Sequence, residues 1–202
     1  MSSTVFIGVD LQRDFVTATA AYGMADASSV VAAAVRLSRF AREREVPLIL
    51  TQDTHEEGDP CFLTCPPHNV LGTEGHRLIG ELEAKDCHLI PNDPHYPLPE
   101  TPTNKGPILL HSPDHRRGLF GNVNSDRLLS LLEADEYVLF GLPLEIGVRA
   151  AGLGLRQRSK TTILVSDAIA HLDSEQAPSW LAALAAAGCR FLTTEGIIER
   201  YA

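Results

Sequence analysis

One stretch limits what this chain can fold into more than any other: Val138-Leu139-Phe140-Gly141-Leu142-Pro143-Leu144-Glu145-Ile146-Gly147-Val148-Arg149-Ala150. It opens as a short apolar run, as a buried strand does. Gly141 and Pro143 then mark a sharp turn. Beyond them Ile146, Ala150, Leu153 and Leu155 recur with polar residues between, and the pattern becomes helical. Strand, turn and helix in that order put the turn at the carboxyl end of a sheet strand. In α/β proteins that edge faces the crevice where ligands bind. The start of the helix adds N–H groups that suit an anion.

The rest of the chain alternates in the same way. Apolar runs predict strands at 4–9, 47–51, 108–111, 136–140, 161–165 and 190–193, with 87–90 a further short candidate. Helical spacing predicts helices over 30–45, 76–84, 125–134 and 174–184. The segment 56–75 is rich in Pro, Gly and polar residues and holds ligand-type side chains, so it reads as a functional loop. The segment 92–107 is Pro-rich and irregular. Strands alternating with helices predict a three-layer α/β/α fold. Its sheet is mainly parallel and Rossmann-like, with about six strands covered on both faces. A chain of 202 residues forms one such domain, 1–202.

A formal net charge of -9 argues against nucleic acid or an anionic membrane as partner. No apolar run is long enough to cross a membrane. The N-terminus lacks the basic start and long apolar stretch of a signal peptide, so a cytoplasmic location is expected. In that compartment Cys61, Cys65, Cys87 and Cys189 are expected to be reduced. Their spacing is not that of a zinc ribbon, and they read as structural or incidental.

Three groups of residues can carry chemistry. Asp10 follows the first strand, where an aspartate either caps a turn or, at the rim of an apolar core, has a raised pKa suited to acid work. Asp53, His55 and His68 are metal-ligand types on a strand end and the loop after it; a bend between Asp53 and His55 is expected if both are to meet one ion. His111 ends the strand expected at 108–111. It reads equally as a proton carrier beside Asp10 or as a core-edge histidine.

These segments resemble the isochorismatase-like hydrolases, which include the nicotinamidases. Val9-Asp10-Leu11-Gln12-Arg13-Asp14-Phe15 matches the family's opening Val-Asp-x-Gln-x-Asp-Phe. Gln52-Asp53-Thr54-His55 resembles the nicotinamidase Gln-Asp-Trp-His segment. Pro66-Pro67-His68-Asn69-Val70-Leu71-Gly72-Thr73-Glu74-Gly75 resembles Pro-x-His-Cys-Val-x-Gly-Thr-x-Gly. The resemblance implies that Asp10 is the catalytic acid/base and that Asp14 holds the loop that follows. It also implies that Asp53, His55 and His68 hold a divalent metal, usually zinc; two imidazoles and a carboxylate suit that ion. Gln52, Phe15, Pro143 and Ile146 are then expected to line the substrate pocket.

The chain departs from the family pattern at several points. Gly147 stands where the amidases carry their nucleophilic cysteine, between the fitting Gly141 and Val148. His111 stands where the family has a lysine, and Lys105 comes too early in the chain to replace it. Thr54 and Cys65 replace aromatic residues. Pro143 falls where the cysteine hydrolases have a non-proline cis peptide, so Leu142–Pro143 is expected to be cis, and proline has no N–H to offer an oxyanion.

The expected function is a small-molecule hydrolase that works without a covalent thiol step. One route uses Asp10 as acid, the chemistry by which isochorismatases cleave a vinyl ether; another is metal-assisted hydrolysis. The alternative is a non-catalytic member that keeps the pocket to bind a small molecule or metal. By the resemblance, the protein is expected to be a homo-oligomer, a dimer or larger.

Overall fold

The computed structural model describes residues 3–17, 20, 22–24, 27–83, 86–99 and 106–202. The sheet has seven strands, the six expected and the short candidate at 87–90: β1 Thr4–Val9, β2 Leu48–Asp53, β3 His88–Ile90, β4 Ile108–Ser112, β5 Glu136–Gly141, β6 Thr161–Ile169 and β7 Arg190–Leu192. Their order is β3-β4-β2-β1-β5-β6-β7, and every neighbouring pair is parallel. The helices are α1 Arg13–Val16, α2 Ala27–Glu43, α3 Ser125–Leu132, α4 Arg149–Gln157, α5 Ala177–Ala186 and α6 Thr194–Tyr201.

The strands read as continuous apolar runs because both faces of the sheet are covered. Successive side chains point to opposite faces. In β1, Phe6 packs into the core shared with α2 and α6, whereas Val5, Ile7 and Val9 pack into the core shared with α3, α4 and α5. The helix α2 buries Val30, Ala34, Leu37 and Ala41, one apolar stripe at helical spacing. It ends where Glu45 turns left-handed at φ 54 and Val46 N–H reaches back to Ala41 O at 2.8 Å. That is the bond of a Schellman C-cap. Removing the buried Leu37 side chain by an alanine substitution would cost about 2–5 kcal/mol.

Several expectations are corrected. The segment 76–82 is not one helix: Ile79 N–H bonds Leu11 O at 2.9 Å and Gln12 pairs with Leu78 in an antiparallel bridge. Those bonds hold the chain extended until a single tight turn at Gly80–Leu82. β6 continues past Val165 to Ile169. α6 was not predicted; Thr193 caps it, its side chain accepting from Gly196 N–H at 3.2 Å. Ala84 and Lys105, and part of the segment 92–107, lie outside the described residues. No helix among the described residues is long and apolar enough to cross a membrane.

The strand order positions the site. From β1 the chain moves to β2 on one side of the sheet and later returns to β5 on the other. The carboxyl ends of β1 and β5 therefore flank the switch point, where an open α/β sheet forms its crevice.

Candidate active site

The organising stretch folds as expected at its strand end. Gly141 closes β5 at φ 121, and a Cβ there would stand 2.2 Å from Val9 O, so only glycine fits. The Leu142–Pro143 bond is cis. After it, Leu144–Val148 forms one wide helical turn, with Val148 N–H bonded to Pro143 O at 3.2 Å, before the regular helix α4 begins. Such i→i+5 turns occur often at functional sites. Gly147 lies in this turn, buried, facing Asp10.

Asp10 is the first residue past β1 and is 2 % exposed. Its backbone is left-handed at φ 46, a region that non-glycine residues rarely occupy and that recurs at functional sites. Its N–H donates to Thr51 Oγ1 at 3.1 Å, and the Thr51 hydroxyl donates back to the Asp10 carboxylate. Burial first, and then the charge of Asp53, push its pKa up to about 8 against the opposing Thr51 bond.

Asp53, His55 and His68 come together, all buried, with their ligand atoms within 4.8 Å of one another. Asp53 Oδ1 is 3.2 Å from His55 Nε2, and Asp53 Oδ2 is 3.4 Å from His68 Nε2. No bend is needed for this. Asp53 and His55 are two residues apart and so share a face of an extended chain, which runs on into a parallel bridge between His55 and Val70.

The residues around the trio fix which ring nitrogen points inward. His68 Nδ1 donates to Pro66 O at 2.8 Å, and a carbonyl can only accept. His55 Nδ1 faces Asp59 Oδ2 at 3.0 Å. In the neutral rings both Nε2 atoms then carry lone pairs aimed at the Asp53 carboxylate. A carboxylate or carbonyl on the far nitrogen is the usual outer partner of a metal-binding histidine. Asn69 donates to Asp53 Oδ2 at 2.9 Å. Asp53 Oδ1 is buried and faces His55 Nε2 at 3.2 Å, with no conventional donor beside it among the described residues, as expected of an oxygen placed for a cation. The donor set therefore fits a divalent metal. Burial works to raise Asp53 and to lower His55. The facing charges outweigh it, holding Asp53 well below the usual carboxylate range and lifting His55 to about 9.

Gln12 and Asp14 brace this arrangement. Gln12 Oε1 accepts from Asp53 N–H at 2.9 Å, and its Nε2 donates to Asp53 O at 2.9 Å and His76 O at 2.8 Å. Asp14 accepts from Asn69 N–H at 2.7 Å and so pins the loop that carries His68.

A cavity of about 100 Å³ joins the two centres. Asp10, Asp53 and His68 line it, as do the expected Phe15, Pro143 and Ile146. Gln52 does not line it: its side chain is buried and donates to His76 O at 2.7 Å. Nor does His111, whose ring stands 5.7 Å from that of His76. Burial lowers the pKa of His111, and burial followed by the proximity of His111 lowers that of His76 to about 4. Tyr22, Cys61, Cys65 and Arg116 line the cavity without having been picked out as pocket residues from the sequence, and Asp59 was missed as the partner of His55. A larger cavity of about 510 Å³ runs between α2 and Pro107, but none of the candidate site residues line it.

Residues 4–95 match the family model of the isochorismatase domain. No curated protein matches the chain in sequence. The fold is similar to that of an isochorismatase-like hydrolase from Alkaliphilus metalliredigens, at 20 % identity and a TM-score of 0.79, over 100 % of both chains. It is also similar to an isochorismatase family protein from Desulfovibrio vulgaris, at 18 % identity and a TM-score of 0.79, covering 99 % of this chain and 98 % of that one. A pyrazinamidase of Pyrococcus horikoshii in complex with zinc aligns at 20 % identity and a TM-score of 0.76, over 95 % of this chain and 99 % of that one. The isochorismatase family model thus covers residues 4–95, and the fold is similar to these structures along nearly the whole chain.

Proposed function

We propose that this protein is an isochorismatase-like hydrolase of a small molecule that works without a cysteine nucleophile. Asp10 is the acid/base, and Asp53, His55 and His68 hold a divalent metal, zinc by the chemistry of the donors. One observation carries this reading: a single small cavity is lined by the buried Asp10 and by two of the three residues of the ligand trio. A metal held there supplies Lewis-acid polarisation of a bound oxygen or nitrogen. Asp10 exchanges a proton with substrate in a cavity whose apolar lining includes Phe15, Pro143 and Ile146. A side chain at position 147 would meet Asp10, its Cβ 2.6 Å from Oδ2, which supports the absence of a thiol step.

His111 has no proton-transfer role in this scheme, because it lies against His76 and outside the cavity lining. We propose further that the protein acts as a homo-oligomer in the cytoplasm. The test pairs metal analysis with turnover of a panel of vinyl ethers and amides. Metal uptake with turnover that requires Asp10 supports the hydrolase. Uptake of metal and ligand with no turnover on the panel favours the binding protein and removes the hydrolase reading.

A further inference from the structure

The cavity also carries a chemical group that the proposed reaction does not use. Cys61 and Cys65 both line it, and both are free and partly exposed. Cys61 sits in the short helix Pro60–Leu63 and Cys65 one turn later, with Cys65 N–H donating to Cys61 O at 3.2 Å. Their sulfurs are 2.9 Å apart.

The same turn reaches the metal trio through one side chain. Asp59 Oδ1 accepts from Cys61 N–H at 2.8 Å, while Asp59 Oδ2 faces His55 Nδ1 at 3.0 Å. The two oxygens of one carboxylate thus tie the backbone of Cys61 to the orientation of His55.

We propose that Cys61 and Cys65 are a redox pair whose disulfide loosens the metal site through Asp59; the second half of this rests on the metal reading above. Bonded sulfurs stand about 2.05 Å apart, so the turn must tighten for the bond to form. The oxidant is a hydroperoxide. The Cys65 sulfur attacks the peroxide, the O–O bond breaks, an alcohol leaves, and Cys65 becomes a sulfenic acid. The Cys61 sulfur then attacks Cys65, the S–O bond breaks, and water leaves with the Cys61 proton. Two thiols and one hydroperoxide give one disulfide, one alcohol and one water. Burial, and then the neighbouring Cys65, push the Cys61 thiol up. With the sulfurs 2.9 Å apart, the two can also exchange these roles.

The experiment treats zinc-loaded protein with tert-butyl hydroperoxide, then alkylates and maps the peptides. Tryptic cleavage leaves Cys61 and Cys65 on one peptide, with Cys87 and Cys189 on others. The expected result is a peptide lighter by two hydrogens that takes up no alkylating reagent. Zinc transfer to a chelator should then be faster on the order of tenfold, the effect of a disturbed outer partner on a metal site. Release from Cys61→Ser and Cys65→Ser proteins should not respond to peroxide. Zinc-loaded protein that forms no such disulfide, or forms it with unchanged zinc release, overturns the proposal. Reduced protein that takes up no zinc overturns the metal assignment and the coupling together, while the peptide map still reads the thiol pair on its own.

Discussion

The carboxylate of Asp10 fills the space that a side chain at position 147 would need: a Cβ on Gly147 would stand 2.6 Å from Asp10 Oδ2 and 2.8 Å from Val9 Cγ1. Neither neighbour yields easily. Val9 is fully buried, and Asp10 is tied to Thr51 at both its N–H and its carboxylate. Gly147→Ala is therefore expected to destabilise the protein by about 1–3 kcal/mol, the usual cost of overpacking a core. Urea unfolding measures this, and a midpoint equal to wild type would show that the space is free.

Gly147→Cys meets the same obstacle and a second one. Pro143, at the position expected to supply an oxyanion donor, has no N–H, and such a donor is worth about 2.7–4 kcal/mol in acyl transfer. The variant is expected to show no useful nicotinamide hydrolysis. Ammonia release under saturating nicotinamide is the assay, and rapid turnover would refute the argument.

Metal content should depend on the trio and on its brace. His68→Ala is expected to lose stoichiometric zinc, and Asp59→Asn to weaken zinc binding by about 10- to 100-fold, because the oxygen that orients His55 loses its charge. Elemental analysis and chelator competition read the two effects. Zinc content unchanged in His68→Ala protein would remove the assignment.

Asp10→Asn keeps the shape and removes the transferable proton. Once a substrate is found, turnover should fall by about 10²- to 10⁴-fold with the fold intact. Undiminished turnover would take the acid/base role from Asp10.

Acid stability should report Glu136, far from the site. Burial works to raise its pKa, but Arg200 at 3.0 Å and the Tyr201 hydroxyl at 2.9 Å outweigh it, and the pKa lies below its ordinary value of 4.5. A lowered carboxyl pKa stabilises the fold above the unfolded value and loses that contribution as pH falls through the folded value. Wild type should therefore lose stability more steeply below about pH 4.5 than Glu136→Gln does. Denaturation midpoints measured from pH 6 down to pH 3 would show this, and parallel curves would contradict it.

The Asp53, His55 and His68 cluster was legible because these residue types are uncommon together and follow a recognisable strand. β1 and β5 were legible because burial on both faces leaves a continuous apolar run after Thr4 and after Glu136. Other features depend on contacts that no local pattern encodes. The segment 76–82 has apolar residues at helical spacing, yet its backbone bonds go to Leu11 and Arg13. The end of β6 carries exposed Ser166 and Asp167, which hides a strand held by its ladder. Asp59 and the Cys61–Cys65 pair lie in a loop whose return to the cavity is set by Asp14 and Asn69, far apart in sequence. His111 lies one residue before the end of its strand, and its ring stands near that of His76, a residue brought there by the same loop.

The central ladder between β1 and β5 pairs Thr4 with Glu136. Every proposed metal ligand and Asp10 lie on the chain before that second strand, while Gly147, Pro143 and Ile146 come after it. Closing so long a loop is entropically costly and tends to slow folding. One bank of the cavity therefore belongs to the first half of the chain, and the opposite bank arrives only when the middle of the sheet closes. During synthesis Asp10, Asp53, His55 and His68 emerge well before Pro143, Ile146 and Gly147, so the two banks face each other only once the later strand has joined the sheet.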